Sequence, residues 1–206
     1  MPSKPKGIDA HPDPPPDLHK RYLPIKEIKG PFWRFFWEKN SPITFNRENT
    51  HRFNAPGEEF GILYLGFSEE CAFIETYGWL TGIKMISETD LKKRRLAKVT
   101  YNPTLNLVDL TGKGLAQIGA DNRLCSGRDY EISQKWSLKL WEHPQPPDGL
   151  LYRPRHDPSE KAVALYDRKH IMDDLSFEDN GPLHSPLNVK LLDRILNHYD
   201  FRLIPD

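Results

Sequence analysis

Two cysteines, Cys71 and Cys125, are all that the 206 residues carry. That is too few for a disulfide framework, and their separation is not that of a metal site. The chain therefore reads as one with reduced thiols in a cytoplasmic setting. An excess of one charge is equally missing, because Lys+Arg and Asp+Glu number 29 each and the formal net charge is zero. Capture of nucleic acid or anionic lipid needs basic residues gathered on one face, so a nucleic-acid-directed role and membrane binding are both disfavoured. No apolar run approaches the roughly 20 residues of a spanning helix, and the N-terminus lacks the apolar stretch of a signal peptide. The eight histidines show neither HExxH nor paired spacing, so no metal is expected. GKGLAQIG (Gly112–Gly119) sets glycines near a helix start without Walker spacing, which makes a weak phosphate cradle. DLKKRR (Asp90–Arg95) is a short basic run best read as a solvated face.

What the chain does have is a hydrophobic share of 37%, enough for one domain. Seven prolines and few apolar residues mark its first two dozen positions. Such a segment buries too little surface to offset its ordering entropy, so residues 1–19 are expected to be a disordered arm and 20–206 the domain. PFWRFFW (Pro31–Trp37), GILYLG (Gly61–Gly66), RLAKVTY (Arg95–Tyr101), LNLVDL (Leu105–Leu110), Gly149–Tyr152 and Ala162–Tyr166 read as strands. Ser68, followed by Glu69 and Glu70, starts a helix to about Leu80. Further helices are expected over Asp129–Trp141 and from Ser185–Pro186 to Tyr199, and Phe201–Ile204 is read as a closing sheet edge. Strands and helices mix without strict alternation, which gives the α+β class.

Four side chains stand out against this frame. At about 100° per residue, Glu75 falls between Cys71 and Trp79 on an otherwise apolar helix, where a carboxylate is costly unless it is paired or has a task. Arg34 interrupts the aromatic strand FWRFFW, and Arg52 stands in HRFN before a Pro-Gly turn. An arginine in such a strand either stacks on a ring or reaches a ligand. Guanidinium forks suit phosphate oxygens, and a carboxylate beside an anomeric carbon stabilises positive charge developing on a ribose. Tyr64, in LYLG, either stacks on a base or nicotinamide ring or fills core. Together the four fit a substrate with a diphosphate and a scissile glycosidic bond. The polar turn RHDP (Arg155–Pro158) reads as a solvated loop.

The stretch RFNAPGEEFGILYLGFSEECAFIE (Arg52–Glu75) resembles the signature of the RES domain, with WR (Trp33–Arg34) similar to the upstream arginine of that family. Downstream, DYEISQ, DGLLY and RHDP within Asp129–Arg168 are similar to its second block, so the resemblance spans core motifs over residues 32–168. It implies an ADP-ribosyltransferase-like fold of split β-sheets flanked by helices, and an NAD⁺-cleaving toxin of a type II toxin–antitoxin system. NAD⁺ would be substrate, and its nicotinamide–ribose bond would be split by phosphorolysis or ADP-ribosyl transfer, the chemistry of a glycosyl transferase. Arg34, Arg52 and Tyr64 match the binding residues of the family, and Glu75 and Arg52 its catalytic ones. The serine often found before Arg-His is replaced by Pro154, and Ser133 is the nearest substitute. Implied partners are inorganic phosphate or a protein acceptor and an Xre-type DNA-binding antitoxin. The alternative is a catalytically degenerate binding or regulatory protein on the same scaffold.

Overall fold

The computed structural model describes residues 11–80 and 82–205. One mixed sheet of eight strands dominates, running β1 (Ile25–Ile28), β6 (Leu105–Asp109), β7 (Gly149–Tyr152), β8 (Ala162–Tyr166), β3 (Ile62–Gly66), β2 (Phe32–Trp37), β5 (Arg94–Tyr101), β9 (Leu175–Pro182). Only the β6–β7 neighbours are parallel within it. A separate two-stranded parallel ladder joins β4 (Met85–Ser87) to β10 (Arg202–Ile204). Among the described residues seven α-helices surround the sheets: α1 (Glu69–Tyr77), α2 (Glu88–Lys92), α3 (Lys113–Ile118), α4 (Arg123–Ser126), α5 (Tyr130–Trp141), α6 (Lys169–Asp174) and α7 (Val189–Tyr199). The α+β class expected from the sequence is the one observed. β7 and β8 are buried along their whole length, as their unbroken apolar runs require.

The sheet is nearly divided. β3 pairs β8, and β2 pairs β5, along continuous registers. β2 and β3, by contrast, meet at the single pair Trp33↔Gly66 and then part. This gives physical content to the expected split sheets: two sheet halves share one point of contact. Just past that contact, Ser68 caps α1 by accepting from the Cys71 amide at 2.9 Å. Gly66 makes the tight return feasible, since a Cβ there would lie 2.8 Å from the Ala72 nitrogen. Cys71 packs into the core beneath α5, while Phe73, Ile74 and Tyr77 pack against Leu192, Ile195 and Phe201 at the C-terminal end of the chain.

The sequence reading missed several elements, each for a local reason. β9 is an edge strand with a largely exposed, polar sequence (LSFEDNGP), so alternation never shows. β1 and β4 are four and three residues long, and α2, α3, α4 and α6 are one or two turns. The expectation of a disordered arm over 1–19 is corrected for its second half, and residues 1–10 lie outside the described residues. His11 packs edge-on against Trp136 at 5.5 Å, and the Trp136 indole N–H donates to the Pro12 carbonyl at 2.9 Å. Leu18, on a single 3-10 turn, is fully buried in the same cluster. Proline content marked the segment as unable to form its own core; it instead lends one leucine and one carbonyl to the core beneath α5.

Deleting residues 1–19 is therefore expected to destabilise the domain. Losing the buried Leu18 side chain costs about 1.5–3 kcal/mol, and an unpaired indole N–H adds about 1 kcal/mol. For a domain of this size that is roughly 5–16 °C in melting temperature. A thermal melt of the truncated protein within about 2 °C of the full chain would show that the arm contributes nothing.

Candidate active site

The parting of β2 from β3 opens a cleft of about 430 Å³. β2 supplies Arg34 to one wall, β3 supplies Tyr64 to the other, and α1 carries Glu75 between them. Arg52 enters from the loop before β3, and Tyr152, Arg155 and His156 from the end of β7 and the turn after it. Four of the sequence-derived candidates, Arg34, Arg52, Tyr64 and Glu75, thus line one cavity.

Glu75 differs from its expected burial. Its helix neighbours Cys71, Ala72, Phe73 and Ile74 are buried, but the Glu75 side chain opens into the cleft and is reached by solvent there. Protein walls the carboxylate on its other sides, and this desolvation raises its pKa above the usual carboxylate value. Two groups oppose the shift: the Tyr152 hydroxyl, which donates to Oε2 at 2.5 Å, and the positive charge of Arg52. Glu75 is therefore a solvent-facing carboxylate held in place by one tyrosine.

The two arginines are each tethered through one nitrogen. Arg34 Nη1 donates to the carbonyls of Pro42 and Thr44 at 2.7 and 3.2 Å. Arg52 Nη1 donates to the Gly127 carbonyl at 2.8 Å, and its guanidinium lies 4.8 Å from the Tyr130 ring centroid. Among the described residues neither forms an ion pair with a carboxylate, and Arg155 makes no hydrogen bond or ion pair. The Nε and Nη2 hydrogens of Arg34 and Arg52 thus remain for a ligand, on forks already oriented by backbone carbonyls. Burial lowers the Arg34 pKa to about 10, which leaves it cationic at neutral pH. Three guanidinium groups and one carboxylate make the cleft locally basic in a chain of zero net charge.

The loop carrying Arg52 is braced from two directions. Tyr64 accepts from the Phe53 amide at 2.9 Å and donates to Asn54 Oδ1 at 3.0 Å. Its hydroxyl is thereby committed to the loop, while its ring faces the cleft. Burial pushes the Tyr64 pKa well up. From α5, Gln134 donates to the carbonyls of Asn49 and His51 at 2.8 and 3.0 Å, and Ser137 to that of Phe53 at 2.7 Å. Ser133 does not join the cleft. Its hydroxyl donates to the Leu124 carbonyl at 2.8 Å, with the residue 1% exposed. The assignment of Ser133 as a catalytic serine is corrected to a structural one: it points into the α4–α5 contact, away from the sheet edge. Pro154 is buried and is not part of the cleft lining.

Several lining residues were overlooked in the sequence. Tyr152, the last residue of DGLLY, reads as strand core, and nothing in its alternation reveals that its hydroxyl reaches Glu75. Arg155 and His156 stand in a polar turn whose sequence reads as solvated. The turn is instead folded against the domain: Arg153 donates to the carbonyls of Pro158 and Ser159 at 2.6 and 3.2 Å, and Tyr199 to Asp157 at 2.8 Å. Trp79, 73% exposed, and Tyr130 form the lip. Among the described residues no group of three or more His, Cys, Asp or Glu gathers as a metal site, and no helix is long and apolar enough to cross a membrane.

Residues 26–183 match the RES domain, and the chain belongs to that family. Over 98 residues it is 31% identical to a "Probable toxin y4kH" of Sinorhizobium fredii (strain NBRC 101917 / NGR234), covering 48% of this chain and 75% of that one. Its fold is similar to a chain of the crystal structure of the M. tuberculosis MbcT–MbcA toxin–antitoxin complex. That match has a TM-score of 0.62 at 18% identity and covers 82% of this chain and 92% of the other.

Two substitutions separate the bracing roles. Tyr64→Phe leaves the Phe53 amide without its partner and is expected to cost about 1–3 kcal/mol in a denaturant titration. Ser133→Ala should cost about 0.5–1.5 kcal/mol and leave any activity of the cleft unchanged. Loss of activity with unaltered stability in Ser133→Ala would return the serine to the site.

Proposed function

We propose that this protein is the toxin of a toxin–antitoxin pair, and that its cleft splits the nicotinamide–ribose bond of NAD⁺. The carrying observation is the pairing of backbone-tethered arginines with a solvent-facing Glu75 across one cavity. The toxin role is supported by family membership and by the names of the relatives. The freed guanidinium hydrogens of Arg34 and Arg52 hold the two phosphates, or one of them receives an incoming phosphate. Glu75, oriented by Tyr152, faces the ribose and stabilises its oxocarbenium character as the bond to nicotinamide breaks. The Tyr64 ring packs on the nicotinamide side. No step calls for a metal. The acceptor is inorganic phosphate or an acceptor group on a protein, which makes the protein an NAD⁺ phosphorylase or ADP-ribosyltransferase acting in the cytoplasm. Its neutralising partner is an Xre-type DNA-binding antitoxin.

The rival, a degenerate binding protein on this scaffold, draws on Pro154, which has neither hydroxyl nor amide hydrogen to offer. The cleft argues against decay, since its arginines and its carboxylate each keep their supporting hydrogen bonds.

The test is incubation of pure protein with NAD⁺, with and without phosphate, and identification of products by mass spectrometry. Release of nicotinamide is expected. Glu75→Gln keeps the shape and removes the charge, and should lower kcat by roughly 10²–10³, as removal of one stabilising group in such sites does. If Glu75 acts ionised, kcat/KM falls as pH drops through its raised pKa, so the acid limb lies above the usual value of about 4.3. NAD⁺ left intact by wild type, or turned over equally by Glu75→Gln, overturns the reading.

A further inference from the structure

Which group takes the proton of the acceptor is open once Ser133 and Pro154 are out of the cleft. His156 lies against the helix that carries Glu75. A Cβ built on Gly78 would sit 2.7 Å from both Cβ and Cγ of His156 and 2.8 Å from its Cδ2. The imidazole therefore rests on the bare backbone of Gly78, and any side chain there would displace it. Gly78 follows Glu75 by three positions on the same helical face, a spacing of about 5–6 Å between Cβ positions. His156 thus packs on the chain one turn past the Glu75 position and lines the same cleft. The charges that act on it are those of Arg155 on its own turn and Arg52 on the facing loop. Burial, Arg155 and Arg52 each disfavour the imidazolium, so the ring is neutral at neutral pH and able to accept a proton. His51, the other cleft histidine, is exposed at the rim beside Tyr64.

We propose that His156 is the general base for an uncharged hydroxyl acceptor, water or an alcohol, at the ribose carbon. The step balances. The acceptor O–H bond breaks and its proton goes to an imidazole nitrogen, while the oxygen pair forms the bond to C1′. The C1′–N bond breaks with its pair entering the pyridinium ring, and nicotinamide leaves neutral. The imidazolium then loses its proton to solvent. A phosphate dianion already carries a charged oxygen and needs no such base. His156 therefore sets which acceptor class the cleft serves, and this rests on the NAD⁺-cleaving reading above.

The experiment measures products from NAD⁺ at mildly alkaline pH for wild type, His156→Ala, His156→Gln and Gly78→Ala, each with and without phosphate. Both His156 variants should lose about 100-fold of phosphate-independent ADP-ribose formation and keep most phosphate-dependent turnover. Added imidazole should restore hydrolysis in His156→Ala, where it leaves a gap, and not in His156→Gln. Gly78→Ala, which displaces the ring, should lower hydrolysis by several-fold while NAD⁺ affinity holds. Hydrolysis unchanged in His156→Ala, loss of both activities together without rescue, or a wild type that reacts only with phosphate each overturns the assignment of His156 alone. A wild type inert toward NAD⁺ in both arms removes the NAD⁺ reading and this inference with it.

Discussion

Everything in the cleft depends on the failure of β2 and β3 to stay paired beyond Trp33 and Gly66. Adjacent antiparallel strands normally close the gap between them with ladder hydrogen bonds, and buried backbone groups left unpaired are costly. Here other partners take part of that role. Asn46 bridges to Ile62 through two backbone bonds of 2.9 Å, and Arg34 lies across the carbonyls of Pro42 and Thr44. The same arginine that fixes the loop beside the split keeps its remaining donors facing into it. Opening the sheet and charging the cavity are therefore one structural event.

A second dependence runs through polar groups buried on α5. Gln134 and Ser137 have no access to ligand, yet they fix the loop that carries Arg52, and the Tyr64 hydroxyl closes that loop from the strand side. A guanidinium placed by a mobile loop would lose most of its value to ordering entropy on binding. Bracing from a helix and a strand removes that cost beforehand. Of the Ser133-Gln134 pair, Gln134 alone is tied to the site loop by hydrogen bonds, one layer behind the cleft, while Ser133 turns to the Leu124 carbonyl.

The elements that place the cleft were legible where the chemistry is local. The Ser68 cap with its following acidic pair, the glycine-bounded strand ending at Gly66 and the apolar strand Ala162–Tyr166 all appear as expected. Arg34 and Glu75 were visible because a charge inside an apolar segment breaks a pattern, and Arg52 because it opens the RFNAPG run that resembles the family signature. Tyr152 was not, because a tyrosine in a strand breaks nothing; only the pairing of β7 with β8 brings its hydroxyl to Glu75. Arg155 and His156 were hidden for the opposite reason. They belong to a polar turn, and whether such a turn is solvated or folded inward depends on distant Tyr199 and on Arg153. Helix periodicity placed Glu75 on an apolar helix correctly but could not show that the sheet opens in front of it, so burial was expected where access exists.

Proline stands at position 154, where the family resemblance implies a serine, and the turn after β7 is held by other groups. Proline removes an amide hydrogen and a hydroxyl, and it fixes φ. The turn does not depend on either lost group. Arg153 grips the carbonyls of Pro158 and Ser159, Asp157 accepts from the Ser159 amide at 3.0 Å, and Tyr199 reaches the same carboxylate from α7. A fixed φ at 154 adds rigidity where Arg155 and His156 leave the strand for the cleft. Exchanging a hydroxyl for stiffness leaves the hydrogen bonds that hold Arg34, Arg52 and Glu75 in place. On the proposed NAD⁺-cleaving reading, the departure at Pro154 bears on the acceptor side of the reaction rather than on the arginine–glutamate arrangement.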